Sequence, residues 1–136
     1  MSGYITFTMN ERELACRLDE VREVVRAVGI DALPGTRAPV SGVLELRGDP
    51  LPLIDLRSTA YPGETGDVLV LNPGVGGSYG VAVDQVLAVV SADELVPDDN
   101  ERPAGLPPYV LEVLRDPQDR SPVMLVNLRI LAGLDA

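Results

Sequence analysis

The sequence predicts a mainly β protein, built as a barrel or a sandwich of about nine or ten short strands. The 136 residues include 19 valines, 19 leucines and four isoleucines but only one phenylalanine, and aliphatic β-branched side chains suit pleated sheet. Thirteen glycines and twelve prolines indicate frequent turns. Several apolar runs also alternate with polar residues at a period of two, which is typical of half-buried strands.

The composition excludes several classes of chemistry. All eleven basic residues are arginine, and the chain has no lysine, histidine or tryptophan, so Ser–His pairs, lysine Schiff bases and imidazole metal ligands are impossible. A net charge of −10 argues against nucleic acid and against anionic membrane surfaces. Cys16 is the sole cysteine and reads as a small core hydrophobe. The N-terminus lacks a signal-peptide pattern and no apolar run approaches membrane-spanning length, so we expect a cytoplasmic protein without membrane insertion.

The first half of the chain begins with a predicted hairpin. Residues 4–9 alternate as a strand, residues 10–12 form a polar turn, and residues 14–18 alternate again. A short helical turn over residues 19–22 and a strand from about Val24 follow. The next stretch is a proline-containing loop over residues 33–41, two apolar strands within 42–57 around a Gly48-Asp49 turn, and a loop over 58–67.

The second half predicts further strands and one short helix. The prolines at 50 and 52 cannot donate ladder hydrogen bonds, so the strand that carries them must start at a sheet edge or turn those positions away from a partner. Residues 91–94 have the pattern of a capped turn. The remaining predicted elements are a hairpin of 67–72 with 79–84, a bent strand over 85–90, strands over 109–114 and 123–128, and a helix over 128–134 capped by Asn127.

Two sets of residues are candidates for chemistry. Asp49, Asp55 and Asp84 could cluster as an acid/base or magnesium site, although aspartate is also common wherever chains turn. Glu23 and Arg47 each interrupt an apolar run, and a charge that is even partly buried there needs a partner. The glycines at 74, 76 and 77 lie between two strands without a following lysine, which indicates a hairpin turn and not a phosphate loop.

Five segments in order resemble the CheW family, the adaptor domain of bacterial chemotaxis. Any one of them is a weak signal, and together they extend over nearly the whole chain. The matching segments are residues 21–24 (VREV), residues 33–34 with 39–43 (LP and PVSGV), residues 46–48 with 51–57 (LRG and LPLIDLR), residues 80–86 (GVAVDQV), and residues 109–110 with 125–128 (YV and LVNL).

The resemblance implies a fold and a role. The expected fold is a single CheW-like domain over residues 1–136, made of two intertwined five-stranded SH3-like β-barrels with a short C-terminal helix. Proteins of this family are not enzymes and need no cofactor. They bridge the cytoplasmic tip helix of a chemoreceptor and the regulatory domain of the histidine kinase CheA, so the resemblance implies a cytoplasmic adaptor associated with receptor arrays.

The resemblance also implies partner-binding residues. Glu23 and Arg47 match the positions of an acid–arginine pair beside the receptor-facing groove, where we expect the pair to stiffen the junction between the barrels. Four further positions match the neighbourhood of that groove, where a receptor helix would lay small and apolar residues. These positions are Val21, Gly42, Val86 and Val89.

Two alternatives to a chemotaxis adaptor remain open from the sequence. The same fold could serve a receptor–kinase system that governs pili, development or gene expression. From a different class, the chain could be a small-molecule or metal-binding protein that uses the three aspartates at 49, 55 and 84.

Overall fold

The chain is mainly β, as the sequence predicted. A computed structural model describes residues 3–28, 35–57, 65–74, 77–98 and 104–135. Within these ranges it contains eleven strands, one short α-helix and a 3-10 turn at Leu18–Glu20. The elements are β1 (Gly3–Met9), β2 (Arg12–Arg17), β3 (Val21–Val28), β4 (Gly42–Leu46), β5 (Asp49–Asp55), β6 (Thr65–Leu71), β7 (Gly80–Val83), β8 (Gln85–Ser91), β9 (Val96–Pro97), β10 (Val110–Arg115), β11 (Pro122–Val126) and α1 (Leu128–Leu131).

The strands form two sheets that exchange segments of the chain. One sheet has six strands in the order β8-β1-β2-β11-β10-β9, and the other has five in the order β3-β6-β7-β5-β4. The chain therefore starts in the six-stranded sheet, builds the five-stranded sheet, and returns through β8 to the first. The extra strand relative to the expected five is the two-residue β9, which pairs with β10 at the sheet edge.

The central strands of the two sheets are buried on both faces, as the burial of β1 and β7 shows, and these strands carry long apolar runs. One face of each sheet packs on a shared cluster that includes Ile5 and Phe7 from the six-stranded sheet with Leu69 and Val81 from the other. The opposite face of each sheet surrounds a cluster of its own. These are Leu51, Leu53, Val68, Val70 and Ala82 in the five-stranded sheet, and Ala15, Leu95, Leu114, Val123 and Leu125 in the six-stranded sheet.

The β4–β5 hairpin turns one residue earlier than predicted. Arg47 and Gly48 form the turn, with φ values of 51° and 85°, and Asp49 is already the first residue of β5. Two consecutive residues with positive φ are what a two-residue hairpin of type I′ requires. Pro50 and Pro52 lie opposite β4 on one side of β5. On the other side, pairing with β7 begins only at Leu53. The missing proline N–H groups belong to that unpaired side, so the prolines cost the sheet no ladder hydrogen bond.

Other boundaries also differ from the prediction. The helical turn covers Leu18–Glu20 and not 19–22, and β3 starts at Val21 and not near Val24. β6 starts at Thr65, so the last three residues of the predicted 58–67 loop are strand. Residues 58–64 lie outside the described residues, as do residues 33–34 of the predicted proline loop.

The C-terminal helix is capped as predicted but is shorter. The Asn127 side chain accepts a hydrogen bond from the Ile130 amide, and the helix ends at Leu131 instead of Leu134. The carboxylate of Glu20 accepts the Leu128 amide at 3.2 Å, which ties this helix to the 3-10 turn that precedes β3. Burial raises the pKa of the Glu20 carboxyl above its ordinary value.

Candidate partner-binding site

Glu23 and Arg47 form an ion pair. Glu23 lies on β3, and Arg47 is held by the left-handed backbone of the β4–β5 turn. Arg47 Nη1 donates to Glu23 Oε2 at 3.0 Å, and Nη2 donates to Oε1, so both carboxylate oxygens are engaged, as in bidentate arginine–carboxylate pairs. The hydrogen bond from Arg47 lowers the pKa of the Glu23 carboxyl. The pair therefore stays charged at every pH near neutrality.

The position of this pair differs from the expectation that it braces the junction between two barrels. Glu23 and Arg47 both belong to the five-stranded sheet, where β3 is one edge strand and β4 the other. The ion pair therefore connects the two edges of one sheet and helps to close it. The Arg47 side chain is 66% exposed, which leaves its guanidinium open to a partner from outside.

The three predicted valines lie on two edge strands. Val21 is on β3, while Val86 and Val89 are on β8, the edge strand of the six-stranded sheet. Val21 and Val86 are half-buried against the shared core cluster. Val89 is 63% exposed, more than the other exposed large hydrophobics of the described residues. The family resemblance predicted that these valines lie near a partner-binding groove, and of the three Val89 is the one most exposed to solvent.

Val24 is a further exposed apolar residue that the sequence reasoning did not select. It is 40% exposed on β3, and its register partner is Leu69 of the shared core. Val86 and Val89 are opposite Phe7 and Ile5 of the same core. Since cross-strand partners share a face, all these valines lie on the core side of their sheets. We call Val21, Val24, Val86 and Val89 the valine face.

Asp67 connects the two sheets beside the valine face. It lies on β6, it is buried, and its Oδ2 accepts the Val86 amide of β8 at 2.7 Å. Its Oδ1 lies 3.6 Å from the Arg26 guanidinium on β3. A charge-assisted bond of this kind fixes a strand more firmly than a neutral one. The sequence placed Asp67 at the junction of a predicted loop and the predicted strand 67–72, and no local pattern distinguishes it from the other turn aspartates.

Gly42 is the remaining predicted partner residue. It is buried at the start of β4, opposite Leu53 in the register. It therefore shares β4 with Leu46, the residue before Arg47, and not a strand with Val86 and Val89. The predicted set thus divides into a β8 group, a β3 group and a β4 group, and Glu23–Arg47 is the contact that joins the last two.

The three aspartates of the alternative hypothesis are not brought together as one site. Asp49 and Asp55 are the two ends of β5, and six residues of strand span about 20 Å. Asp55 pairs with Arg57 at 3.0 Å, and Asp84 accepts the Asn10 amide. In the described part of the chain, no three Asp, Glu, His or Cys side chains are grouped so as to hold a metal ion. None of the helices there is long and apolar enough to cross a bilayer.

Comparison with known proteins assigns the chain to a family. The crystal structure of the scaffolding protein TtCheW from Thermoanaerobacter tengcongensis matches with a TM-score of 0.65 and 20% sequence identity, over 93% of this chain and 88% of that one. At this identity the likeness concerns the fold. No curated protein matches significantly. The family model described as the CheW-like domain matches residues 3–134. With a family match over nearly its full length and the same two-sheet fold, the chain belongs to the CheW-like domain family.

Proposed function

We propose that this chain is a non-enzymatic adaptor that couples chemoreceptors to the histidine kinase CheA in the cytoplasm. The observation that carries the proposal is the CheW-like family match over residues 3–134. The Glu23–Arg47 pair, which the family resemblance had suggested from positions 24 residues apart, adds support because the two side chains do meet. Chemotaxis is the general role of the family, and it is the role we propose here.

The valine face suits a receptor helix. In this proposal an apolar helix stripe packs on Val89 and Val24, the two residues of this face that are exposed, and half-buried Val21 and Val86 supply the remaining apolar contacts. Completing the burial of two valines contributes on the order of 2 kcal/mol. That is a small driving force, so pairwise binding is weak and affinity in an array arises from multivalency.

Arg47 gives the site a polar anchor. Its guanidinium uses two N–H groups on Glu23 and has five in total, so further donors face solvent. A partner carbonyl or carboxylate at this position would add a charge-assisted hydrogen bond. In this proposal the β4 group, with Gly42 at the start of β4 and Arg47 after its end, contacts either the receptor tip or the regulatory domain of CheA.

A binding experiment with a matched control tests the proposal. We expect Arg47→Ala to lower capture of the protein by an immobilised receptor cytoplasmic fragment or by the CheA regulatory domain several-fold, with unchanged circular dichroism. Arg120→Ala is the control, because Arg120 is also an exposed arginine with positive φ in a turn. Val89→Arg is expected to abolish receptor capture. Retention of both variants at the wild-type level by both partners would contradict the proposal.

A further inference from the structure

A second apolar surface lies on the other face of β8. A cleft of about 560 Å³ opens beside this strand and extends to the turns that follow β8 and β10. Leu87 forms part of its wall and is 45% exposed. Ala88 and Val90 of the cleft are opposite Thr6 and Tyr4 in the register, whereas the valine face uses Val86 and Val89. The cleft is therefore separate from the proposed receptor site. Its apolar lining residues include Leu87, Ala88, Val90 and Leu95.

The middle of the strand beside this cleft is an open sheet edge, between the Val86 amide, which donates to Asp67, and the Ser91 amide, which donates to Glu94. Within the described residues β8 pairs with β1 and has no second neighbour. Its seven residues, QVLAVVS, include neither a charged residue nor a proline, the devices by which edge strands usually avoid pairing with other chains. The apolar stretch from Leu87 to Val90, which lies between these two bonded amides, is a short template for an added strand.

The negative charge around the cleft indicates that a partner segment with positively charged side chains would bind there. Four carboxylates line it and no arginine does. None of the four takes part in the ion pairs found within the described ranges. Backbone and hydroxyl groups hold three of them in place, since Ser91 donates to Asp93 and Glu94 and the Gln118 amide donates to Asp116. The four residues are Glu13, Asp93, Glu94 and Asp116.

We propose that β8 binds an extended segment of a partner protein in which arginine or lysine alternates with aliphatic residues. The segment pairs with the β8 backbone between Leu87 and Val90 through main-chain hydrogen bonds. Its aliphatic side chains enter the cleft against Leu87, and its cations meet the four carboxylates. A second copy of this chain is a poor occupant, because each copy carries a net charge of −10.

A synthetic heptapeptide of alternating arginine and valine is the probe. Titrated into the full-length protein, labelled with ¹⁵N, it is expected to cause saturable shifts of the β8 amides. A version N-methylated at every residue keeps the charge but has no amide N–H with which to pair as a strand, and we expect it to bind about tenfold more weakly. Leu87→Arg, a change at an exposed position, is expected to prevent binding.

Matched variants distinguish the effect of the cleft carboxylates on peptide binding from the effect of the overall net charge. Glu13→Gln with Glu94→Gln keeps side-chain acceptors and is expected to weaken binding about tenfold, whereas Glu45→Gln with Asp49→Asn removes two charges elsewhere and is expected to change it less than about twofold. Equal binding of the N-methylated peptide, or shifts centred on the valine face, would overturn the proposal. So would β8 shifts that grow with protein concentration without peptide, because they would identify a second copy as the occupant.

Discussion

Replacing Asp67 tests whether one carboxylate holds β8 against the five-stranded sheet. Asp67→Ala removes the acceptor of the 2.7 Å hydrogen bond from the Val86 amide and leaves that N–H without its partner. Hydrogen bonds to charged groups contribute about 1.5–3 kcal/mol, so we expect the free energy of unfolding to fall by about 2 kcal/mol. Asp67→Asn keeps an oxygen acceptor and is expected to lose roughly half as much.

Urea and thermal denaturation measure the effect. For a chain of this length, a loss of about 2 kcal/mol corresponds to a decrease of about 1 M in the urea midpoint and roughly 6–10 °C in Tm. Asp135→Ala is the control, because it removes the same charge from an exposed pair with Arg129 that is worth about 0–1 kcal/mol. Equal midpoints for wild type and Asp67→Ala, or equal losses in the Asn and Ala variants, would refute the assignment to the hydrogen bond.

Three further perturbations have defined outcomes. Gly80→Ala places a Cβ within 2.8–2.9 Å of Leu53, Leu51 and Val68, so overpacking should lower the free energy of unfolding by about 1–3 kcal/mol, and an unchanged urea midpoint would contradict this. Burial raises the pKa of the Cys16 thiol to about 12, so intact-mass measurements should show iodoacetamide labelling at neutral pH only after unfolding, and rapid labelling of the native protein would count against it. Because the pKa of Glu20 is raised in the folded state, its contribution to stability is greatest below its unfolded pKa and is lost as pH rises through the folded value. Denaturation at several pH values should therefore show Glu20→Gln gaining stability relative to wild type as the pH rises above the ordinary glutamate pKa, and a difference independent of pH would exclude this origin.

Local features of the fold were predictable from the sequence. The β1–β2 and β6–β7 hairpins follow from alternating apolar residues around polar or glycine-rich turns, and Asn127 marks the start of the C-terminal helix. Local patterns carry this information because hairpin pairing and helix capping involve residues close in sequence. Errors at boundaries, such as β3 starting at Val21, arise where helical and strand periodicities coincide.

Long-range features were not predictable from local pattern. β8 follows β7 after one residue but joins the other sheet, beside β1, and the two residues of β9 are too few to show a period. The Asp67–Val86 bond spans 19 residues and Glu23–Arg47 spans 24. The second pair was anticipated only through family resemblance, while the first had no signal at all. That residues 1–136 form one domain of two barrel lobes stays a prediction.

Reconstituted kinase activity tests the adaptor role most directly. CheA, a receptor cytoplasmic fragment and this protein are combined, and phosphate incorporation into CheA is measured with the adaptor omitted, wild type, Arg47→Ala or Arg120→Ala. We predict that wild type and Arg120→Ala restore receptor control of phosphorylation and that Arg47→Ala restores much less. Receptor-controlled activity that is the same with and without the wild-type protein would contradict the account.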